Sequence, residues 1–175
     1  MHSIKKLSLV FILQIFLGSF LLQSQVIEDQ YKVYFFLLED CKITQSYIPE
    51  IKQLYNHYQN DSINMLAIYS APSSNNVDIQ SFHEKYKIPL KWKLDSLQSL
   101  AKLYNITVMP EVMVVNTTTN TLVYQGRIDD RWAAIGKRKN KAEINDLQNC
   151  LDHIILGKTP EFYKTQAVGC YLTKL

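Results

Sequence analysis

A nearly continuous apolar run at residues 31–38 leads into a cysteine and an amphipathic helix, and this order constrains the fold more than any other feature. The run is rich in aromatic and β-branched residues, as expected of a strand buried on both faces. Residues 41–58 repeat apolar side chains at three- and four-residue steps, which predicts a helix with one buried stripe. A buried strand followed directly by a helix favours an α/β fold with parallel crossovers.

The rest of the chain continues this alternation and closes it with a hairpin. The predicted strands are residues 63–69, 90–94, 111–116 and 121–124, and the predicted helices are residues 77–86, 96–104 (capped by Asp95) and 143–156. Ile144, Leu147, Leu151 and Ile154 should face the core from the last helix, with Cys150 beside them. The sequence therefore predicts a mixed central sheet flanked by helices on both faces.

The first 25 residues have the layout of a secretory signal peptide. Lys5 and Lys6 precede an apolar run of 16 residues, whereas a membrane-spanning helix needs about 20. We therefore expect a signal peptide at 1–25 and one domain at 26–175, secreted or periplasmic. Contact with a membrane is expected only through the signal segment, if that segment is not cleaved.

The charge balance of the remaining chain argues against nucleic acid as a partner. Without Lys5 and Lys6, 17 basic residues face 16 acidic ones, so the domain is close to neutral. A nucleic-acid-binding domain normally carries a strongly basic face. The one dense basic run, at residues 137–141, is interpreted as a solvated loop.

Two positions point to thiol chemistry. Cys41 lies at a strand-to-helix junction, where free backbone N–H groups and the helix dipole favour a thiolate, the nucleophilic form of cysteine. Met109-Pro110 precedes a predicted strand and suits a cis peptide in a tight turn. The crossover logic of the sheet predicts that Cys41 and Pro110 lie at the same end of the domain.

These residues belong to four short motifs that together resemble a known family. They are Asp40-Cys-Lys-Ile-Thr44, Pro110-Glu-Val112, Tyr124-Gln-Gly-Arg-Ile-Asp-Asp130 and Gly169-Cys170. In this order they resemble the exported thioredoxin-like redoxins of the alkyl hydroperoxide reductase/thiol-specific antioxidant type. The resemblance implies a thioredoxin-like fold over residues 31–172, with Cys41 as the attacking cysteine and Pro110 as the cis-proline beside it.

The sequence departs from that pattern at the site itself. Relatives that exchange disulfides typically carry Cys-x-x-Cys, whereas this chain has Thr44 in place of the second cysteine. The Thr44 hydroxyl is one helical turn from Cys41 and could donate to its thiolate. Met109 replaces the threonine common before the proline and predicts a more apolar substrate-binding edge. A peroxiredoxin mechanism is disfavoured, because Leu38 stands where Thr-x-x-Cys would need threonine.

The other cysteines and the histidines leave several interpretations open. Cys170 is either a resolving partner that closes a disulfide with Cys41, or a tail residue that only packs. Cys150 is interpreted as a core residue. The scattered histidines share no ligand spacing, so the sequence predicts no metal site and no cofactor.

Three hypotheses for function follow. The leading one is an exported thiol–disulfide oxidoreductase acting through Cys41, with Cys170 or an external thiol as the resolving partner. Its substrate would be a protein disulfide or a low-molecular-weight thiol. The alternatives are a catalytically degenerate module that binds a protein or peptide beside Pro110, and a monothiol glutathione-dependent enzyme, for which no recognisable glutathione pocket is present.

Overall fold

The computed structural model describes residues 30–59, 61–158 and 160–175, so the predicted signal peptide at 1–25 lies outside the described residues. The strands are β1 Tyr31–Leu37, β2 Ile63–Tyr69, β3 Lys91–Leu94, β4 Val108–Met109, β5 Glu111–Asn116, β6 Thr121–Gly126, β7 Trp132–Ala134, β8 Lys137–Arg138, β9 Tyr163–Lys164 and β10 Cys170–Tyr171. The helices are α1 Lys42–Tyr58, α2 Asn76–Tyr86, α3 Ser99–Leu103 and α4 Asp146–Ile155.

The main sheet has six strands in the order β3-β2-β1-β5-β6-β9. Strands β1, β2 and β3 pair in parallel, whereas β5 is antiparallel to β1 and to β6. The predicted mixed sheet is therefore confirmed. Two short pairs, β4 with β10 and β7 with β8, stand apart from this sheet.

Both faces of the sheet are covered, and β1 shows why its sequence reads as a continuous apolar run. Val33, Phe35 and Leu37 face a large cluster that includes buried side chains of α1, α2 and α4. Phe36 faces the opposite side, in a smaller cluster that contains Ala101 of α3. Alternate residues of one strand thus enter different cores, so the positions from Val33 to Leu37 all favour apolar side chains, whereas Lys32 near the start of the strand is exposed.

Two predicted helices begin later in the structure than the sequence indicates. The third helix begins at Ser99 instead of residue 96, because Gln98 adopts a left-handed backbone with φ 55°. The last begins at Asp146 instead of residue 143, because Asp130 Oδ1 accepts the N–H groups of residues 143 and 144 and holds them outside the helix. Ile144 is consequently exposed, so its predicted place in the core is wrong.

Short strands lie where the sequence indicated none. The basic run at 137–141 begins with β8 rather than forming a loop throughout. Within it, Lys139 Nζ contacts the carboxylates of Asp130 and Glu143 at 2.6 and 3.0 Å. None of the helices in the described part of the chain is long and apolar enough to cross a membrane.

Candidate active site

Cys41 occupies the N-cap of α1, as the sequence predicts. Its backbone is extended, with φ −77° and ψ 119°, and its carbonyl oxygen accepts the first helical hydrogen bond from the Gln45 N–H at 2.9 Å. The next backbone N–H groups have no carbonyl one turn earlier to bond to, and they carry the positive end of the helix dipole. A sulfur at this position is therefore set up to be stable as a thiolate once it is reduced.

Cys170 forms a disulfide with Cys41 across a sequence separation of 129 residues, with their Cα atoms 6.1 Å apart. Of the two interpretations left open by the sequence, the structure thus supports the paired one. With the bond closed, Cys41 is only 2% exposed. An external group therefore cannot reach its sulfur unless part of the surrounding chain moves.

The Met109–Pro110 peptide bond is cis, and it lies beside the disulfide. Cys41 Sγ is 3.5 Å from the Met109 carbonyl oxygen, so the sheet brings the two predicted positions together at one end of the domain. The Met109 side chain, however, is completely buried in the smaller core cluster. In the oxidised structure this residue presents its backbone to the disulfide, while its side chain packs in the cluster that also contains Leu172 of the tail; a more apolar substrate-binding edge stays a prediction.

Thr44 is fully buried one turn into α1. Its Oγ1 accepts a hydrogen bond from the Leu38 N–H at 3.4 Å, which ties the helix to the chain leaving β1. The oxidised pair holds no thiolate, so donation from the Thr44 hydroxyl to Cys41 stays a prediction about the reduced protein.

The C-terminal tail, residues 163–175, is held at three places. It begins as β9 beside β6 and continues as β10 beside β4. Gln98 Nε2 donates to the Thr173 carbonyl at 2.7 Å, and Gln98 Oε1 accepts the Leu175 N–H at 3.0 Å. The left-handed backbone that shortens α3 thus belongs to the residue that holds the end of the tail.

A groove of about 560 Å³ runs between the tail and the loop before Pro110, with Glu111 in its wall. Glu111 is 5% exposed, and its Oε1 accepts a hydrogen bond from Gln125 Nε2 at 2.9 Å. Burial raises the pKa of this carboxyl above its ordinary value, and the Gln125 hydrogen bond and the charge of Lys164 oppose the rise. The groove beside the disulfide therefore carries a carboxyl that is easily protonated.

We expect the free energy of unfolding of Glu111→Gln to fall less with rising pH than that of the native chain. A raised pKa means that the folded state binds the proton more tightly, so folding stability falls as pH rises from the unfolded to the folded pKa. Glutamine has no such titration and can keep the Gln125 contact. The free energy of unfolding measured from about pH 4 to about pH 8 tests this.

The exposed Glu161→Gln is the matched control and should leave the pH dependence unchanged. Part of the decline remains in Glu111→Gln, because burial raises the pKa of Glu39 in the same direction. Identical pH profiles for the native chain and Glu111→Gln would contradict the assignment.

A partly buried ion network centred on the buried Asp129 holds α1 against the loop that follows β6. Arg131 Nη2 contacts Asp129 Oδ2 at 2.5 Å and Glu50 Oε2 at 2.7 Å. The Tyr47 hydroxyl donates to Asp129 Oδ1 at 2.8 Å, and burial raises the pKa of this tyrosine. Tyr47 and Glu50 both belong to α1, so the network fixes the helix whose first residue follows Cys41.

The remaining thiol and the buried histidine of the described residues do not contribute to the site. Cys150 is buried in α4, and burial raises the pKa of its thiol to about 12, which makes it a poor nucleophile. His83 is also buried, where its Nε2 and the Tyr69 hydroxyl are 2.9 Å apart. Among the described residues, no group of three or more His, Cys, Asp or Glu side chains could hold a metal ion.

Three contributors to the site were not identified from the sequence: Glu111, Gln98 and Gly169. Glu111 lies within a recognised motif, but only its burial gives it a role. Gln98 resembles any surface glutamine in a helix start. Gly169 belongs to the Gly169-Cys170 motif, but the sequence does not reveal that its Cα lies so close to the backbone of Met109 and Pro110 that a Cβ would clash there.

A cis-proline beside a helix-start cysteine, on a mixed sheet covered on both faces, defines a thioredoxin-like protein. The AhpC/TSA family model matches residues 19–128, which is more than half of the chain. The protein therefore belongs to the AhpC/TSA family. No curated protein matches the chain by sequence.

Solved structures with the same fold include proteins without an assigned activity. A hypothetical protein from Sinorhizobium meliloti superposes with a TM-score of 0.73 at 18% identity, over 85% of this chain and 82% of that one. An uncharacterized conserved protein from Geobacillus kaustophilus gives 0.71 at 21% identity, over 86% and 80%. The thioredoxin domain of a thiol-disulfide oxidoreductase from Bacteroides vulgatus gives 0.54 at 15% identity, over 74% and 81%. These similarities establish the thioredoxin-like fold.

Proposed function

We propose that the protein is an exported thiol–disulfide oxidoreductase whose redox centre is the pair Cys41 and Cys170. The observation that carries the proposal is their disulfide at the cis-Pro110 turn, with Cys41 at the N-cap of α1. Cys170 supplies, from the far end of the chain, the second sulfur that Cys-x-x-Cys proteins carry at the position of Thr44. The second cysteine that the Cys41 motif lacks is therefore supplied by a residue that is distant in sequence and adjacent in the fold.

The reaction proceeds by two exchanges. In the reduced protein, the Cys41 thiolate attacks one sulfur of a substrate disulfide, and the other substrate sulfur leaves as a thiolate. The Cys170 thiolate then attacks Cys41 in this mixed disulfide, forms the Cys41–Cys170 bond and releases the second substrate thiolate. The substrate gains two electrons and the protein loses two. The reverse sequence would oxidise a substrate dithiol.

Two features of the site favour Cys41 as the attacking group. The start of α1 stabilises its thiolate, and the Thr44 hydroxyl, one helical turn away, can donate a hydrogen bond to that thiolate. Access to Cys41 requires the tail to move away, because the residue is buried while Cys170 is in place. The segment that must move pairs with the sheet edge through only two residues, Cys170 and Tyr171, and so small a pairing can open locally while the core stays folded.

Export and the nature of the substrate are part of the same proposal. Residues 1–25 have the sequence pattern of a signal peptide, which would leave a domain at 26–175 in a secreted or periplasmic setting where disulfides persist. The Bacteroides vulgatus neighbour is a thiol-disulfide oxidoreductase, which supports thiol–disulfide exchange here, and we propose protein disulfides as the substrates. A low-molecular-weight thiol is the second class that could exchange with the pair.

A second candidate function is a binding module without turnover. The burial of Cys41 favours it, since a disulfide that never opens would serve only to fix the tail. The two functions differ in whether the disulfide equilibrates with external thiols while the protein stays folded.

Equilibration in glutathione redox buffers separates the two functions. Oxidised and reduced protein are incubated at several ratios of reduced to oxidised glutathione, quenched with acid and analysed by non-reducing mass spectrometry. We expect the oxidised fraction of Cys41–Cys170 to follow the glutathione ratio and to be the same from both starting states. A bond that opens only under denaturing conditions would contradict the oxidoreductase and support the binding module.

A further inference from the structure

The tail occupies the edge of β4 as an added strand. Cys170 pairs with Met109 and Tyr171 with Val108 in antiparallel register, and the Leu172 N–H donates to the Thr107 carbonyl at 2.9 Å. An extended peptide that binds a sheet edge gains main-chain hydrogen bonds in this way, and alternate side chains enter pockets that give specificity. The tail thus shows which peptide the edge beside Cys41 accepts.

The position before the cysteine admits no side chain. A Cβ on Gly169 would overlap the carbonyl group of Met109 and approach the nitrogen of Pro110 within 2.9 Å. All of these atoms are backbone, so they cannot rotate away as the end of a flexible side chain could. Glycine at this position is required by the close approach of the two chains.

The side chains of the two residues after the cysteine lie on opposite sides of the strand, one exposed and one buried. Tyr171 is 78% exposed, so its side chain contributes little to docking. Leu172 is buried in the smaller core cluster, together with Ala101 and Ile106. The accepted sequence is therefore glycine, cysteine, any residue, and then a leucine-like apolar residue.

We propose that the substrate is an extended Gly-Cys-x-Leu-like segment of another protein, which replaces the tail on β4 in the same register. This inference rests on the proposed function, because it identifies what the Cys41 thiolate attacks. The target sulfur takes the place that Cys170 now fills, because that is where the structure holds a sulfur bonded to Cys41. Cys170 then returns with its own Gly169 and Leu172 and displaces the product.

Short peptides that carry a 2-pyridyl disulfide on their cysteine test this order of residues. The probe protein is the mature full chain with Cys170→Ser, which keeps Cys41 reduced and prevents resolution. The Cys41 thiolate attacks the peptide sulfur, a Cys41–peptide disulfide forms, and pyridine-2-thiolate leaves with the electron pair and is counted by its absorbance as the thione. The four peptides contain Gly-Cys-Tyr-Leu, Ala-Cys-Tyr-Leu, Gly-Cys-Ala-Leu and Gly-Cys-Tyr-Asp.

We expect the alanine-first and aspartate-last peptides to react about tenfold more slowly than Gly-Cys-Tyr-Leu, because one clashes with backbone and the other places a charge among apolar side chains. The peptide with alanine after the cysteine should react at nearly the unchanged rate. Four equal rates, or no reaction with any peptide while 2,2′-dipyridyl disulfide still reacts, would overturn the inference and leave the proposed function standing. Failure of Cys41 to react with 2,2′-dipyridyl disulfide as well would instead contradict the proposed function.

The tail itself provides a second measurement in the otherwise native chain. Gly169→Ala should shift the glutathione equilibrium about tenfold toward the reduced pair, because the tail no longer fits beside Met109 and Pro110. Tyr171→Ala is the matched control on the same strand and should leave the equilibrium unchanged, since its side chain is exposed. Equal equilibria for the two variants would overturn the glycine requirement.

Discussion

Cys41→Ser is expected to lower the rate of disulfide exchange by about a hundredfold or more, because it removes the attacking sulfur and leaves no replacement. The other two cysteines cannot substitute for it: Cys170 lacks a helix start, and the Cys150 thiol is buried with its pKa raised to about 12. The rate at which reduced protein loses thiols to a disulfide-bonded protein substrate measures the effect.

Two matched cysteine variants sharpen the result. Cys170→Ser should keep the first exchange but accumulate the mixed disulfide with substrate, visible as an adduct on Cys41 by non-reducing mass spectrometry. Cys150→Ala should react like the native chain, since Cys150 is a buried residue of α4. An adduct on Cys150, or undiminished exchange by Cys41→Ser, would refute the assigned roles.

Arg131→Ala is expected to lower the free energy of unfolding by about 3 kcal/mol, because it leaves a buried carboxylate without its charged partner. The Asp129 side chain is 1% exposed, so water cannot replace the guanidinium there. The same change removes the contact with Glu50 and the cation 5.3 Å above the Tyr47 ring. Chemical denaturation of the oxidised variant, compared with the native chain, measures the loss.

Arg138→Ala is the control, because it makes the same substitution at an exposed position on β8. We expect it to change stability little, as exposed charged residues contribute weakly. If the two arginine variants lost the same stability, the network around Asp129 would not be what holds α1 in place.

The main sheet could be predicted because its strands carry strong local signals. In β1 every residue from Val33 to Leu37 faces one of two cores or packs between them, so the apolar run and its end were visible in the sequence. The start of α1 was equally clear from the stripe that begins after Cys41. By contrast, the late start of α4 depends on Asp130, a residue from a different loop, and no pattern within the helix records it.

The candidate site was only half predictable for a related reason. Cys41 and Pro110 carry local signals, a strand-to-helix junction and a proline before a strand. Cys170 lies on a two-residue strand that pairs with the two-residue β4, and such short pairs have no periodicity to detect. Its pairing with Cys41 depends on the path of the whole tail, which includes the hydrogen bonds of Gln98 with Thr173 and Leu175. Cysteine pairing therefore had to come from the structure.

The most direct test of the central claim compares the number of Cys41–Cys170 disulfides formed with the number of substrate disulfides reduced. Fully reduced protein is incubated without oxygen with a disulfide-bonded protein, and non-reduced peptide mapping then quantifies Cys41–Cys170 against the substrate thiols released. We predict one Cys41–Cys170 disulfide for each substrate disulfide reduced, and none in Cys41→Ser. Substrate disulfides that remain intact while Cys41 and Cys170 stay reduced would contradict the account.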